Sequence, residues 1–177
     1  MADESFRQAL TRLLPRLRRF GMTLTGSGTD ADELVQTTCE RVLGRAGQLR
    51  DDTRLDAWLY AVMRNLWTSE LRRRRIRRHE GIEAAEAVAG EDGAARTEDR
   101  MTLAAVRRAM DSLPEEQRAV LMLVCVDGLS YRDVSAIMDI PIGTVMSRLS
   151  RARQDLHARL AGEADGKVTP LRPARRG

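Results

Sequence analysis

The chain has 177 residues, with 30 Lys+Arg against 26 Asp+Glu and a formal net charge of +4. Aromatic residues supply only 3% of it, which argues against a large sandwich or barrel core, while 42% hydrophobic residues exceed what a disordered chain carries. No apolar run approaches the roughly 20 residues a membrane span needs, and no signal-peptide pattern follows the N-terminus, so membrane and secreted classes are excluded.

Charge is segregated along the chain. Residues 1–79 hold 16 Arg and 10 acids, residues 80–99 one Arg and 7 acids, and residues 100–177 13 Arg+Lys and 9 acids. Two basic modules joined by an acidic strap point to a polyanionic partner. Lys167 is the only lysine, a bias that a genome rich in G and C would produce by itself. Cys39 and Cys125 stand alone among apolar neighbours and are expected as small buried hydrophobes. With no CxxC or Cys/His cluster, no metal and no cofactor is expected, and two unpaired thiols fit a reducing cytoplasm.

In chain order, Phe6, Leu10, Leu13, Leu14, Leu17, Phe20 and Leu24 recur at helical spacing, and Pro15 is expected to kink or divide that helix. After the Gly26-Ser27-Gly28 turn, Asp30 and Glu33 read as a capping box for a helix reaching about Ala46. The polar loop Gln48–Thr53 leads into a long helix from about Arg54, with a core stripe of Leu55, Trp58, Leu59, Val62 and Leu66. This helix carries six arginines in seven positions from Arg72 to Arg78. Residues 80–99 have linker composition. Periodicity returns at Met101, Leu103, Val106, Met110 and Leu113. Pro114 opens a helix with Glu115 and Glu116 in its first turn and Val120, Leu121, Leu123 and Val124 on its buried side, and Asp127-Gly128 ends it. Ser130 and Asp133 cap a short helix bearing Val134 and Ile137, and a last helix runs from about Gly143 to Leu160. Residues 162–177 read as a flexible tail. The fold class is all-α: two small helical bundles, 1–79 and 100–161, joined by a flexible acidic linker.

A short capped helix, a tight turn and a longer helix form a helix-turn-helix. In the longer helix Val145, Leu149, Ala152 and Leu156 face the bundle, while Thr144, Ser147, Arg148 and Arg151 fall on the other side, where small polar groups and arginine forks suit a duplex.

The run Leu113-Pro114-Glu115-Glu116-Gln117-Arg118, then Gly128-Leu129-Ser130-Tyr131, then Ile140 through Leu149, resembles the promoter-reading fourth region of extracytoplasmic-function (ECF) sigma factors of the sigma-70 family. Those proteins usually carry lysine where this chain has Met146, and often histidine where it has Ser150. Asp32-Glu33-Leu34-Val35-Gln36 resembles the second-region helix that docks on the polymerase clamp, and Asp56 through Leu66, completed by Glu70-Leu71-Arg72-Arg73, resembles the helix that follows. The resemblance implies a specificity subunit, not an enzyme. Its partners would be core RNA polymerase, promoter DNA as duplex and melted strand, and an anti-sigma factor. It implies minus-35 contacts from Thr144, Ser147, Arg148 and Arg151. Minus-10 contacts would come from Arg64, Asn65, Arg72, Arg73, Arg74, Arg75, Arg77 and Arg78, with the Gln48–Thr53 loop beside them. Core polymerase contacts would come from Asp32, Glu33 and Gln36, and the acidic linker would thread a positively charged RNA exit path. A stand-alone helix-turn-helix regulator is the alternative; it would need a dimer interface or receiver domain, and neither βαβ alternation nor sustained heptads are present. An RNA-binding adaptor would leave the Leu113–Leu149 pattern unexplained.

Overall fold

A computed structural model describes residues 2–45, 54–79 and 98–165, and these residues are helical with no strand among them. Helix α1 spans Ala2–Thr25, α2 Gly28–Leu43 and α3 Leu55–His79. A second group follows: α4 Glu98–Asp111, α5 Glu115–Leu121, a π-helical turn Met122–Val126, α6 Tyr131–Met138 and α7 Ile142–Asp165. The Gln48–Thr53 loop, most of the acidic linker and the tail beyond Asp165 lie outside the described residues.

Pro15 sits inside α1 without dividing it. Its ring removes one helical N–H, but Pro15 faces solvent, where water can reach the carbonyl left unpaired. Gly26 adopts a positive φ of 68°, and Gly21 lies where α1 and α2 approach most closely. A Cβ at Gly21 would stand 3.3 Å from the Ala31 Cβ and carbonyl oxygen. Ser27, not Asp30, caps α2: its hydroxyl accepts from the Asp30 N–H, leaving the Asp30 carboxylate free to bond elsewhere. The helix ends at Leu43 with Gly44 as its cap, earlier than its apolar pattern suggests.

Leu17, Phe20 and Leu24 of α1 pack on Leu34 and Val42 of α2 and on Leu59, Met63 and Leu66 of α3. The buried face of α3 is rotated from the expected stripe. Tyr60, Met63 and Trp67 are buried, while Leu55, Trp58 and Val62 are only partly covered. The reason lies outside α3, since a second helical group covers its flank.

In that group Val120 and Leu123 pack with Val134, Ile137, Val145, Leu149 and Ala152. α6 carries a reciprocal capping box between Ser130 and Asp133, as its sequence implies, and ends on Asp139 in the left-handed region at φ 51°. Leu103, expected on the α4 core stripe, is 68% exposed, whereas Ala109 is buried. The cysteines also differ from expectation. Cys39 is half-buried, and Cys125 is exposed because the π-helical turn swings it outward, where it accepts from Arg153 Nη2 at 3.4 Å.

The two helical groups touch. Asp127, at the end of the π-helical turn, inserts a side chain only 1% exposed among Arg16, Arg19 and Tyr60 of the first group. The apolar clusters of the two groups merge into one core.

Candidate nucleic-acid interface

The face of α7 is set by the helix-turn-helix behind it. Thr144 and Val145 donate their N–H groups to the Pro141 carbonyl, which fixes the first turn, and Val145, Leu149 and Ala152 anchor the helix inward. Ser147 and Arg151 are consequently exposed, while Thr144 and Arg148 are half-buried. Ser147 Oγ donates to the Thr144 carbonyl at 3.1 Å. Arg148 forms an ion pair with Glu116 of α5, whereas Arg151 has no partner among the described residues. The four residues share a face, but only Arg151 presents an uncommitted guanidinium. Met146, beside them, is 54% exposed.

The arginine run of α3 divides into two sets. Glu70 bonds Arg73, Arg74 and Arg77 at 3.1, 3.0 and 3.2 Å. Arg74 also reaches Asp30 of α2 at 3.1 Å and lies over the Trp67 ring, 5.4 Å from its centroid. Hydrogen bonds to Asp30 and Glu70 push its pKa further up, so it is a fixed structural cation. Arg72, Arg75 and Arg78 have no partner among the described residues, and steps of three place them along one side of the helix. Arg75, Arg78 and His79 border a cleft whose wall includes Ser27 and Trp67.

Asn65 is exposed. Arg64 is turned toward the second helical group: its Nη1 bonds Thr68 Oγ1, and its Nε is buried without a partner. Near it lies Glu115. Burial pushes the Glu115 carboxyl above the ordinary glutamate value, and the guanidiniums of Arg64 and Arg118 pull the other way. The buried Trp67 indole N–H points to the same carboxylate but falls short of a well-formed hydrogen bond.

On α2, Asp32, Glu33 and Gln36 are all exposed and share one face. Asp32 accepts from Arg18 at 2.7 Å, a bond that holds its carboxyl below the usual aspartate value. Gln36 donates to Glu40 at 2.9 Å. The Glu33 carboxylate has no partner among the described residues.

Sequence reasoning missed the contacts between groups. Arg54 bonds Asp133 at 2.5 Å and Asp56 at 3.1 Å; Arg118 donates to the Thr23 carbonyl at 3.0 Å. Asp127-Gly128 reads locally as a helix end, and nothing in that dipeptide points across 111 residues to Arg16. Among the described residues no three or more His, Cys, Asp or Glu side chains gather to hold a metal, and no helix is long and apolar enough to cross a membrane.

A capped helix-turn-helix and an arginine-bearing helix in one all-α fold are features of a DNA-binding protein. Residues 9–77 match Sigma-70 region 2, and residues 103–156 match Sigma-70, region 4. The chain is 36% identical over 157 residues to the ECF RNA polymerase sigma factor EcfG of Rhodopseudomonas palustris, covering 89% of this chain and 86% of that one. It is 36% identical over 162 residues to the ECF RNA polymerase sigma factor SigE of Mycolicibacterium smegmatis, covering 90% of this chain and 61% of the relative. Among solved structures, the sigma factor RpoE of Bartonella quintana, in complex with the anti-sigma factor NepR, superposes with a TM-score of 0.75 at 32% identity, covering 89% and 98% of the two chains. The chain belongs to the ECF RNA polymerase sigma factors.

Proposed function

We propose that the chain acts in the cytoplasm as an alternative sigma factor whose first helical group, within residues 1–79, binds core RNA polymerase and opens the minus-10 element, while the second, within 100–161, reads the minus-35 element. Core polymerase performs the chemistry; this chain contributes promoter recognition and melting. The observation that carries the reading is the pairing, in one chain, of an open α7 face with an unpaired arginine stripe on α3. A stand-alone regulator has no use for the second surface.

On α7, Arg151 contacts a base edge or phosphate directly, Thr144 and Ser147 approach base edges, and Arg148 is shared between Glu116 and DNA. On α3, Arg72, Arg75 and Arg78 neutralise duplex phosphates beside the melted site, and Asn65 offers its amide to the displaced strand. Arg73, Arg74 and Arg77 order that helix through Glu70 and contribute positive field. Asp32, Glu33 and Gln36 meet the clamp, with Glu33 the acid already free to do so. The relative in complex with NepR supports an anti-sigma factor as a further partner.

In vitro transcription with purified core polymerase tests this. The chain should direct initiation from a subset of promoters, recovered by sequencing the DNA bound by reconstituted holoenzyme. Tight, specific DNA binding without core and no initiation with it would instead establish a stand-alone regulator.

A further inference from the structure

Two large apolar side chains are left uncovered at the start of α7. Ile142 is 44% and Met146 54% exposed, and their spacing of four puts them on one side of the helix, a turn apart. The inward face is already filled by Val145, Leu149 and Ala152. Beside the apolar pair the surface is small and uncharged, for Gly143, Ser147 and Ser150 are all exposed. At Gly143 a Cβ would meet nothing within 4 Å, and the backbone there is ordinary helix. Neither packing nor conformation calls for glycine, which costs a helix stability relative to alanine. Its missing side chain leaves a low strip next to Met146, over which an outside surface can approach the helix closely.

Arginines border this strip. At about 100° of rotation per residue, Arg151 lies beyond Ser147 on the side away from Met146. Arg153 lies in line with Met146 further along the helix, where its Nη2 donates to Cys125 Sγ at 3.4 Å. An uncharged centre between cations matches a major groove, in which base edges lie between two phosphate backbones. Two apolar side chains are too little to centre a stable protein interface, which buries about 800 Å² a side. In the groove the apolar group on offer is the 5-methyl of thymine. An unbranched, flexible thioether can pack on it, whereas an amide or a charge would read hydrogen-bonding edges instead.

We propose that Met146, backed by Ile142, reads a thymine 5-methyl group in the minus-35 element, so that thymine at one position of that element is selected by apolar contact. The assignment rests on the sigma-factor reading above and adds a base identity to a face whose other residues are polar.

Deoxyuracil tests it, because exchanging thymine for deoxyuracil removes the methyl and leaves the hydrogen-bonding edge intact. Holoenzyme reconstituted from the full chain and core polymerase is bound to a promoter it selects, with each thymine of the minus-35 element, on either strand, replaced in turn. At one position the exchange should weaken native binding about fourfold, the contribution of one buried methyl-sized group. Met146→Ala should weaken binding to the unmodified promoter by a similar factor and make that position indifferent to uracil. Met146→Leu should keep the sensitivity, and Met146→Gln, similar in length but polar, should lose it. A native holoenzyme indifferent to uracil throughout the minus-35 element overturns the assignment, as do Met146→Ala and uracil effects that simply multiply. Weaker binding of Met146→Ala to core polymerase without DNA also overturns it, by making the apolar pair a protein contact. Should the native chain initiate from no promoter with core, the sigma-factor reading fails. The same uracil scan on duplex selected by the chain alone then decides the role of Met146 by the same coupling.

Discussion

Glu115 shows how one side chain can work against the arrangement it belongs to. It serves the α5 dipole from the first turn, yet burial beside Trp67 raises its proton affinity more than Arg64 and Arg118 lower it. The folded chain therefore binds that proton more tightly than the unfolded chain. The ionised form costs stability above the folded pKa, and the cost fades as pH falls through the ordinary glutamate value of 4.5. Glu115→Gln, which keeps an acceptor for the indole, should be more stable than the native chain at pH 7, with the difference disappearing near pH 4. Paired denaturant titrations across that range check it; a variant less stable at pH 7 means the attraction of the two arginines dominates. On α7, Met146 stands more than half exposed next to Ser147 near the start of the helix. Met146→Lys should add one phosphate contact and steepen the slope of log K against log salt for minus-35 DNA by about 0.9. An unchanged slope would place position 146 off the duplex.

At the scale of the helix, α3 separates cations that hold the protein from cations available to DNA. Replacing Arg72, Arg75 and Arg78 together with alanine should reduce the salt dependence of promoter binding by about 0.9 for each phosphate no longer neutralised. It should leave the unfolding midpoint nearly unchanged, because exposed charges without partners contribute little to stability. Arg74→Ala should behave oppositely. It strips Asp30 and Glu70 of a partner and uncovers Trp67, so a loss of about 1 kcal/mol in stability is expected, with a smaller change in salt slope. Measuring both quantities on both variants separates the roles; equal effects would mean that the division of the run has no functional consequence.

The sequence made α3 legible as a helix, and its arginines as a candidate DNA surface, because spacing and composition are local properties. It could not reveal that Glu70 and Asp30 claim half of that run, since Asp30 is 44 positions from Arg74. The same limit explains the other departures. Ser130 and Asp133 announce their cap within four residues, and the structure has it. Tyr60 and Trp67 look marginal on a helical wheel and are buried by contacts from other helices, Tyr60 between Phe20 and Asp127 and Trp67 beneath Arg74 and near Glu115. Asp127 has ordinary local surroundings and gains its meaning from Arg16, Arg19 and Tyr60, on two other helices.

For the whole molecule the opposing demands are compactness and reach. Closed, the two groups share an apolar core and a buried, paired carboxylate; engaged with a promoter, they have to span roughly 85 Å. Residues 80–97 connect α3 to α4, and 18 residues fully extended reach about 60 Å at ~3.4 Å each. Adding about 20 Å from the body of each helical group brings the total to the required separation with little to spare. The length of this acidic segment is therefore a functional quantity. Removing residues 84–93 leaves a connection of about 27 Å. That variant should still bind a duplex carrying the minus-35 element alone with native affinity, because α7 and its helix-turn-helix are intact. Transcription from a complete promoter should fall at least tenfold, because the two elements can no longer be occupied at once. Restoring the ten positions with a neutral Gly/Ser sequence should recover reach and so separate length from charge. Recovery by that replacement assigns the segment to spanning alone, whereas a persistent defect assigns part of its role to the acids, consistent with passage through a positively charged path on the enzyme. Native activity in the shortened chain would contradict the extended arrangement altogether.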